Sequence, residues 1–301
     1  GVVEWFAEEE LRRGQRVGFV ASSDDHTGRP GATYPSGSDI HFGMQGGLLA
    51  VCAESLTREA LWEAFWARRV YGTTGERIIL RVTAGGHPMG AAFSAREVPP
   101  IDVEVIGTGP LETVQLLRGT EVVYTHRLAR PEPDARPLLK LVWEGARVRW
   151  RSRPTQWDGR LALDQGRILA AETFAFDDPT DGILERTESL VRWRSTTSGD
   201  PDGLFLDVEA PERAQFRFES GPARFSFRWA DLAAGPLVVD AGGVGQRVTA
   251  SLVPRGPRPE AVRFAWRDDA PQPGTNAYWL RVIQRNGQMA WSSPIYIDLA
   301  K

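Results

Sequence analysis

The sequence predicts a mixed α/β segment followed by a longer, mainly β segment. Three observations carry that expectation. Residues 1–98 alternate helix-like and strand-like patterns. After Pro99-Pro100 the helical patterns nearly vanish, and short alternating runs separated by Pro- and Gly-rich turns take over. Eight of the eleven Trp residues lie beyond residue 140, which suits broad sheet faces. One domain is therefore expected over 1–98 and a second over 99–301, the latter a β-sandwich with an elaborated insertion.

The elements follow in order. Val2 to Arg13 reads as a short amphipathic helix with an acidic Glu8-Glu9-Glu10 turn, stopped by Gly14. Val17-Gly18-Phe19-Val20-Ala21 is a short apolar run that reads as a buried strand. Thr27 to Gly47 is a loop rich in Gly, Ser and Pro that contains His41; loops of this length are usually functional or mobile. Leu48 to Ala53 reads as a second buried strand, with Cys52 as a small core residue. Thr57 caps a helix whose apolar stripe, Leu61, Trp62, Phe65 and Trp66, is expected in the core. Tyr71 to Gly75 reads as a turn into the strand Arg77 to Thr83. Strand, helix and strand at this spacing favour parallel pairing.

In the second part, Ile101–Ile106, Val148–Trp150, Gln215–Phe218, Phe225–Trp229 and Val262–Trp266 alternate. Tyr278–Ile283 and Ser293–Ile297 look like a closing hairpin, linked through an Asn286-Gly287 turn. Arg alternates with aromatic residues in Arg147–Arg151 and Arg224–Trp229. That pattern could serve a nucleic acid or a sugar, and its usual meaning is a two-faced strand with the aromatic side inward.

Composition excludes several classes. At 42% apolar and 25% charged, the 301 residues are those of an ordinary globular protein. A net charge of −3 offers no global field for nucleic acid or an anionic membrane, so neither is expected as a partner. One cysteine rules out an internal disulfide framework and a cysteine-built zinc site. No run reaches the ~18 apolar residues of a membrane helix, so a soluble protein of the bacterial cytoplasm or periplasm is expected, without a choice between the two. The chain starts at Gly1 and runs straight into a helical pattern, which suggests a fragment of a longer protein.

Chemistry concentrates in Ser23-Asp24-Asp25-His26, directly after the first apolar run. Asp24 and His26 put a carboxylate and an imidazole at one strand end, a pair suited to a divalent metal such as zinc, manganese or iron. The same residues also make ordinary turns and caps. Arg29, in Gly28-Arg29-Pro30-Gly31, could clamp a phosphate or carboxylate bidentately. Asp25, Glu54 and His41 are weaker candidates. Thr73 and Thr74 read as turn chemistry. Phe176 to Gly182 could pass for a calcium loop, but it lacks EF-hand spacing, and Asp-Pro and Asp-Gly turns account for it better.

Val17–Gly31, Ala67–Ile78 and Ala290–Ile297 together resemble the C-terminal half of a large bacterial family of unknown function. That family is related to the PHP (polymerase and histidinol phosphatase) metal-dependent phosphoesterases. The resemblance implies a fold in which 1–98 is the C-terminal part of a PHP-like (β/α) barrel. It matches Ser23-Asp24-x-His26 to the family's last ligand motif, with Asp24 and His26 as metal ligands. The family's early His-x-His has no counterpart in this chain. The remaining ligands are then expected from a missing N-terminal part of the same protein, with a small phosphorylated substrate and little activity for this chain alone. A different class stands beside this one: a non-catalytic β-sandwich that binds a glycan or peptide, or packs on its own enzyme.

Overall fold

In a computed structural model, the described residues are 3–23, 46–128, 132, 135–148, 154–178 and 180–299. Among the described residues, strand makes up 54% and helix 7%. Two compact units emerge. Unit 1 takes the described residues of 3–23, 46–128 and 258–299, and unit 2 those of 132–257. Unit 2 is thus inserted into unit 1, and the expected break at residue 98 falls inside unit 1.

Unit 1 is organised around the strand Gly274–Gln284. One edge pairs antiparallel with Leu111–Arg118. The other edge pairs with Ile295–Leu299 in its first half and with Met289–Ser292 in its second. Asn286-Gly287 forms the tight turn between Gly274–Gln284 and Met289–Ser292, with Gly287 at φ 89°, a conformation that favours glycine. The hairpin partner is therefore Met289–Ser292, not the later run that the sequence suggested. A second, four-stranded sheet contains Ala261–Trp266, Ile101–Ile106, Ile79–Ala84 and His87–Pro88. Alternation decides its faces: Ile101, Val103 and Val105 are buried, and Asp102 between them is exposed. These apolar residues join Leu80, Val82, Val114, Leu116, Leu280 and Val282 in one core.

Unit 2 consists mainly of two five-stranded antiparallel sheets around a single core. One carries Gly182–Arg186, Leu190–Arg194, Gly159–Leu163, Gln215–Ser220 and Arg224–Arg228, and the other Arg167–Phe174, Gly199–Glu209, Leu138–Ala146, Val244–Val253 and Leu237–Gly242. Trp143, Trp157, Trp193, Phe216 and Phe218 are fully buried, and the Trp143 and Trp193 rings stack 4.8 Å apart. Along Arg224–Trp229, Arg224 and Arg228 are exposed while Phe227 and Trp229 are buried, so the Arg/aromatic alternation there is two-faced; Arg149–Arg151 of the other such run lie outside the described residues.

The expected α/β barrel segment is not formed. Among the described residues the α-helices are α1 (Val3–Arg12) and α2 (Arg58–Trp66). Leu48–Val51 and Val70–Thr73, which flank α2, pair antiparallel. The physical cause lies at the end of α2. Arg68 adopts the left-handed conformation (φ 57°) and turns the chain straight back, so that Cys52 N–H reaches Arg69 C=O at 2.9 Å. Ile79–Ala84, expected to run parallel to Leu48–Ala53, joins the other sheet instead.

Two burial expectations also change. Thr57 does cap α2, accepting from Ala60 N–H at 3.3 Å, but within α2 only Ala64 is buried. Trp62 is 61% and Trp66 71% exposed, packed edge-on against each other rather than into the core. Cys52 is exposed as well. No helix among the described residues is long and apolar enough to cross a membrane.

Candidate functional site

Asp24, Asp25, His26, Arg29 and His41 lie outside the described residues. The backbone that leads into them and receives the chain after them is described, and it is tightly fixed. Val17–Ala21 is not a strand. It has no ladder partner and is held by side chains from the far end of the sequence. Val17 N–H donates to the Tyr296 hydroxyl at 2.7 Å, and that hydroxyl donates to Val17 C=O at 2.8 Å. Burial pushes the Tyr296 phenol up from its ordinary range, so it remains a donor. Phe19 N–H donates to Ser293 Oγ at 2.8 Å, and Ser293 Oγ donates to Val70 C=O at 2.6 Å. Arg16 reaches Asp298 at 2.6 Å, and the Phe19 ring meets Trp279 edge-on at 5.3 Å.

The segment closes where it opened. Gly47 N–H donates to Ser22 C=O at 3.0 Å. A Cβ at Gly46 would lie 2.4 Å from Ser23 Cα, so only glycine allows this approach. Asp24 and His26 therefore follow directly on a base built from Val17–Ser23, Gly46-Gly47 and the strand Val70–Thr73.

The secondary candidates divide clearly. Thr73 is buried and its Oγ1 accepts from Gly75 N–H, while Thr74 Oγ1 pairs with Gln288 and with Met289 N–H. Thr73 acts as turn chemistry at the end of the strand Val70–Thr73, where the sequence predicts a turn from Tyr71, whereas Thr74 bonds across to the Gln288-Met289 segment. Glu54 is an exposed bend residue. His87 stacks on Phe93 at 4.1 Å, and His126 stacks on Phe264 at 4.2 Å. Burial lowers the His126 pKa below its ordinary value.

Unit 2 holds an arrangement that sequence reasoning missed. Asp177 lies in the segment read as turns, and Asp178 does make a turn there by accepting from Thr180 N–H. Asp177, however, converges with Asp200 and Asp202. The available signal was the i, i+2 spacing of Asp200 and Asp202 at the start of a strand, which puts both on one face. Nothing local links that pair to Asp177.

A family model described as "Protein of unknown function (DUF3604)" matches residues 34–99, less than a quarter of the chain. An uncharacterized protein of Chlamydia pneumoniae is 36% identical over 123 residues, covering 39% of this chain and 19% of that protein. Uncharacterized proteins of Chlamydia trachomatis and Chlamydia muridarum are 29% and 30% identical over 121 residues, covering 38% of this chain. The chain thus spans about a fifth of the length of the curated relatives it matches. No solved structure matches.

Proposed function

We propose that this chain is part of a metal-dependent hydrolase acting on a phosphate ester. In this reading Asp24 and His26 are ligands of a divalent metal (zinc, manganese or iron), and Arg29 clamps the substrate anion. The observation that carries it is the fixed base described above. Two hydroxyls, an ion pair and an aromatic contact hold residues 16–19, a few positions before Asp24. Ligand side chains need such pre-organised support.

The donor set fits a borderline metal, since it offers imidazole nitrogen and carboxylate oxygen. It is incomplete, because catalytic zinc commonly takes about three protein ligands plus water. Among the described residues, the only convergent group of three metal-capable side chains is the Asp177 group of unit 2. The remaining ligands would then come from other parts of a longer polypeptide. A bound metal would polarise the phosphoryl oxygen and generate hydroxide. The test is elemental mass spectrometry on this chain and on the full-length protein, each with an Asp24→Ala/His26→Ala control. Zinc, manganese or iron in the full-length protein, lost in the double variant, supports the reading. A metal-free full-length protein, or one whose metal survives the double substitution, sinks it.

One observation favours a second reading, in which the chain is a packing module for the rest of its own enzyme. The α2 surface presents Trp62, Phe65 and Trp66 together, and exposed aromatic clusters of this kind mark interaction surfaces. A metal-free full-length protein whose α2 tryptophans are shielded from quenchers would favour this alternative.

A further inference from the structure

Unit 2 carries a cluster of carboxylates that the hydrolase reading does not use. Asp177 follows the strand Arg167–Phe174, and Asp200 and Asp202 open the strand Gly199–Glu209. One oxygen from each of the three lies within 4.8 Å of the others. Asp202 is completely buried. Its Oδ2 accepts from Ser195 Oγ at 2.6 Å, and its Oδ1 is buried with no hydrogen-bond partner.

Ser195 Oγ is itself held by a neighbour. Trp143 Nε1–H can only donate, and it donates to Ser195 Oγ at 2.7 Å. The Ser195 hydroxyl donates to Asp202 Oδ2. An ionised Asp202 keeps a buried oxygen, Oδ1, without a donor, at substantial cost. A cation shared with Asp177 and Asp200 removes that cost and offsets the repulsion among the three.

We propose that Asp177, Asp200 and Asp202 bind a calcium ion that ties the segment after Arg167–Phe174 to the strand Gly199–Glu209. The chemistry selects the ion. The three side chains supply only hard oxygen ligands, with no imidazole or thiolate, which disfavours zinc. Two oxygens held about 2.4 Å from one calcium ion can be at most about 4.8 Å apart, and the oxygens of this group lie within that distance of one another. Asp200 Oδ1 is already oriented by Ser198 N–H at 2.6 Å, and nearby Asp181 by Thr196 N–H at 2.6 Å.

The experiment is isothermal calorimetry of the chelator-treated 301-residue chain with calcium chloride, magnesium chloride as comparison, and thermal unfolding with and without calcium. The expected result is one saturable calcium site per chain and a higher Tm with calcium than with magnesium. Asp177→Asn, a change in a half-buried loop, should weaken binding at least tenfold, and Asp202→Asn should abolish it while far-UV circular dichroism stays unchanged. The Asp24→Ala/His26→Ala chain should bind calcium as the parent does, which separates this site from the hydrolase reading. Absence of saturable binding up to about 10 mM calcium overturns the proposal, as would magnesium bound in preference or an Asp177→Asn affinity equal to that of the parent.

Discussion

Removing one hydroxyl should loosen the base that leads into Asp24. Tyr296→Phe deletes the oxygen that both accepts from Val17 N–H and donates to Val17 C=O. The buried ring itself can stay in place, so the loss is confined to two hydrogen bonds. Each is worth about 1 kcal/mol net at a half-buried position, giving roughly 1–2 kcal/mol for the pair. At about 1.4 kcal/mol per tenfold, the open population of residues 16–19 should rise roughly 5–30-fold. Trypsin reads this directly, because Arg16 sits at the start of the fixed segment and is tied to Asp298. When opening is fast relative to cleavage, the cleavage rate follows the open population. Mass-resolved digestion should therefore show faster cutting after Arg16 in Tyr296→Phe, with cutting after Arg217 in unit 2 unchanged. An unchanged Arg16 rate would refute the pinning argument. An equal rise at Arg217 would show global destabilisation instead.

Three other outcomes follow from the structure. Asp268 is buried against Arg118 at 2.8 Å and accepts from the Tyr278 hydroxyl at 2.7 Å, while Arg118 also holds Glu121 at 2.8 Å and Ala270 C=O at 2.7 Å, so Asp268→Ala leaves the buried Tyr278 hydroxyl unmet and should cost about 1–3 kcal/mol in urea unfolding; a loss under about 0.5 kcal/mol would contradict the network. Trp62→Ser and Trp66→Ser should each change the stability of the chain by no more than about 0.5 kcal/mol, because both side chains face solvent, whereas a core position would lose several-fold more. Burial depresses the His126 pKa from the ordinary 6.5, so its contribution to stability is full above about 6.5 and is lost as pH falls through the lower folded-state value; an NMR titration with a midpoint above 6.5 would reverse that sign.

Sequence patterning was legible where the deciding interactions are local. Thr57 caps its helix, Asn286-Gly287 turns its hairpin, Thr73 accepts from Gly75 N–H within a turn, and Ile101–Ile106 buries alternate side chains. It failed where the partner is distant. Val17–Ala21 has the composition of a strand, yet its hydrogen bonds go to hydroxyls on Tyr296 and Ser293. The α2 stripe has helical periodicity, but the left-handed Arg68 sends the chain back antiparallel, and its aromatic residues face outward. For the acidic group, composition offered Asp177 and the Asp200/Asp202 pair separately, and only the fold joins them.

The same non-local wiring constrains how the backbone leading into Asp24 is positioned. The central strand of unit 1, Gly274–Gln284, and its neighbour Ile295–Leu299 come from the end of the chain, after the whole of unit 2. Ser293, Tyr296 and Asp298 from that end are the residues that hold Arg16, Val17 and Phe19. Contacts of such sequence separation pay their loop-closure entropy before they return any stability, so they form late. Residues leading into Asp24 and His26 can therefore be fixed only once the C-terminal strands have docked. Removing Ser293 to Lys301 should accordingly abolish the trypsin protection of Arg16, even though the two segments lie at opposite ends of the sequence.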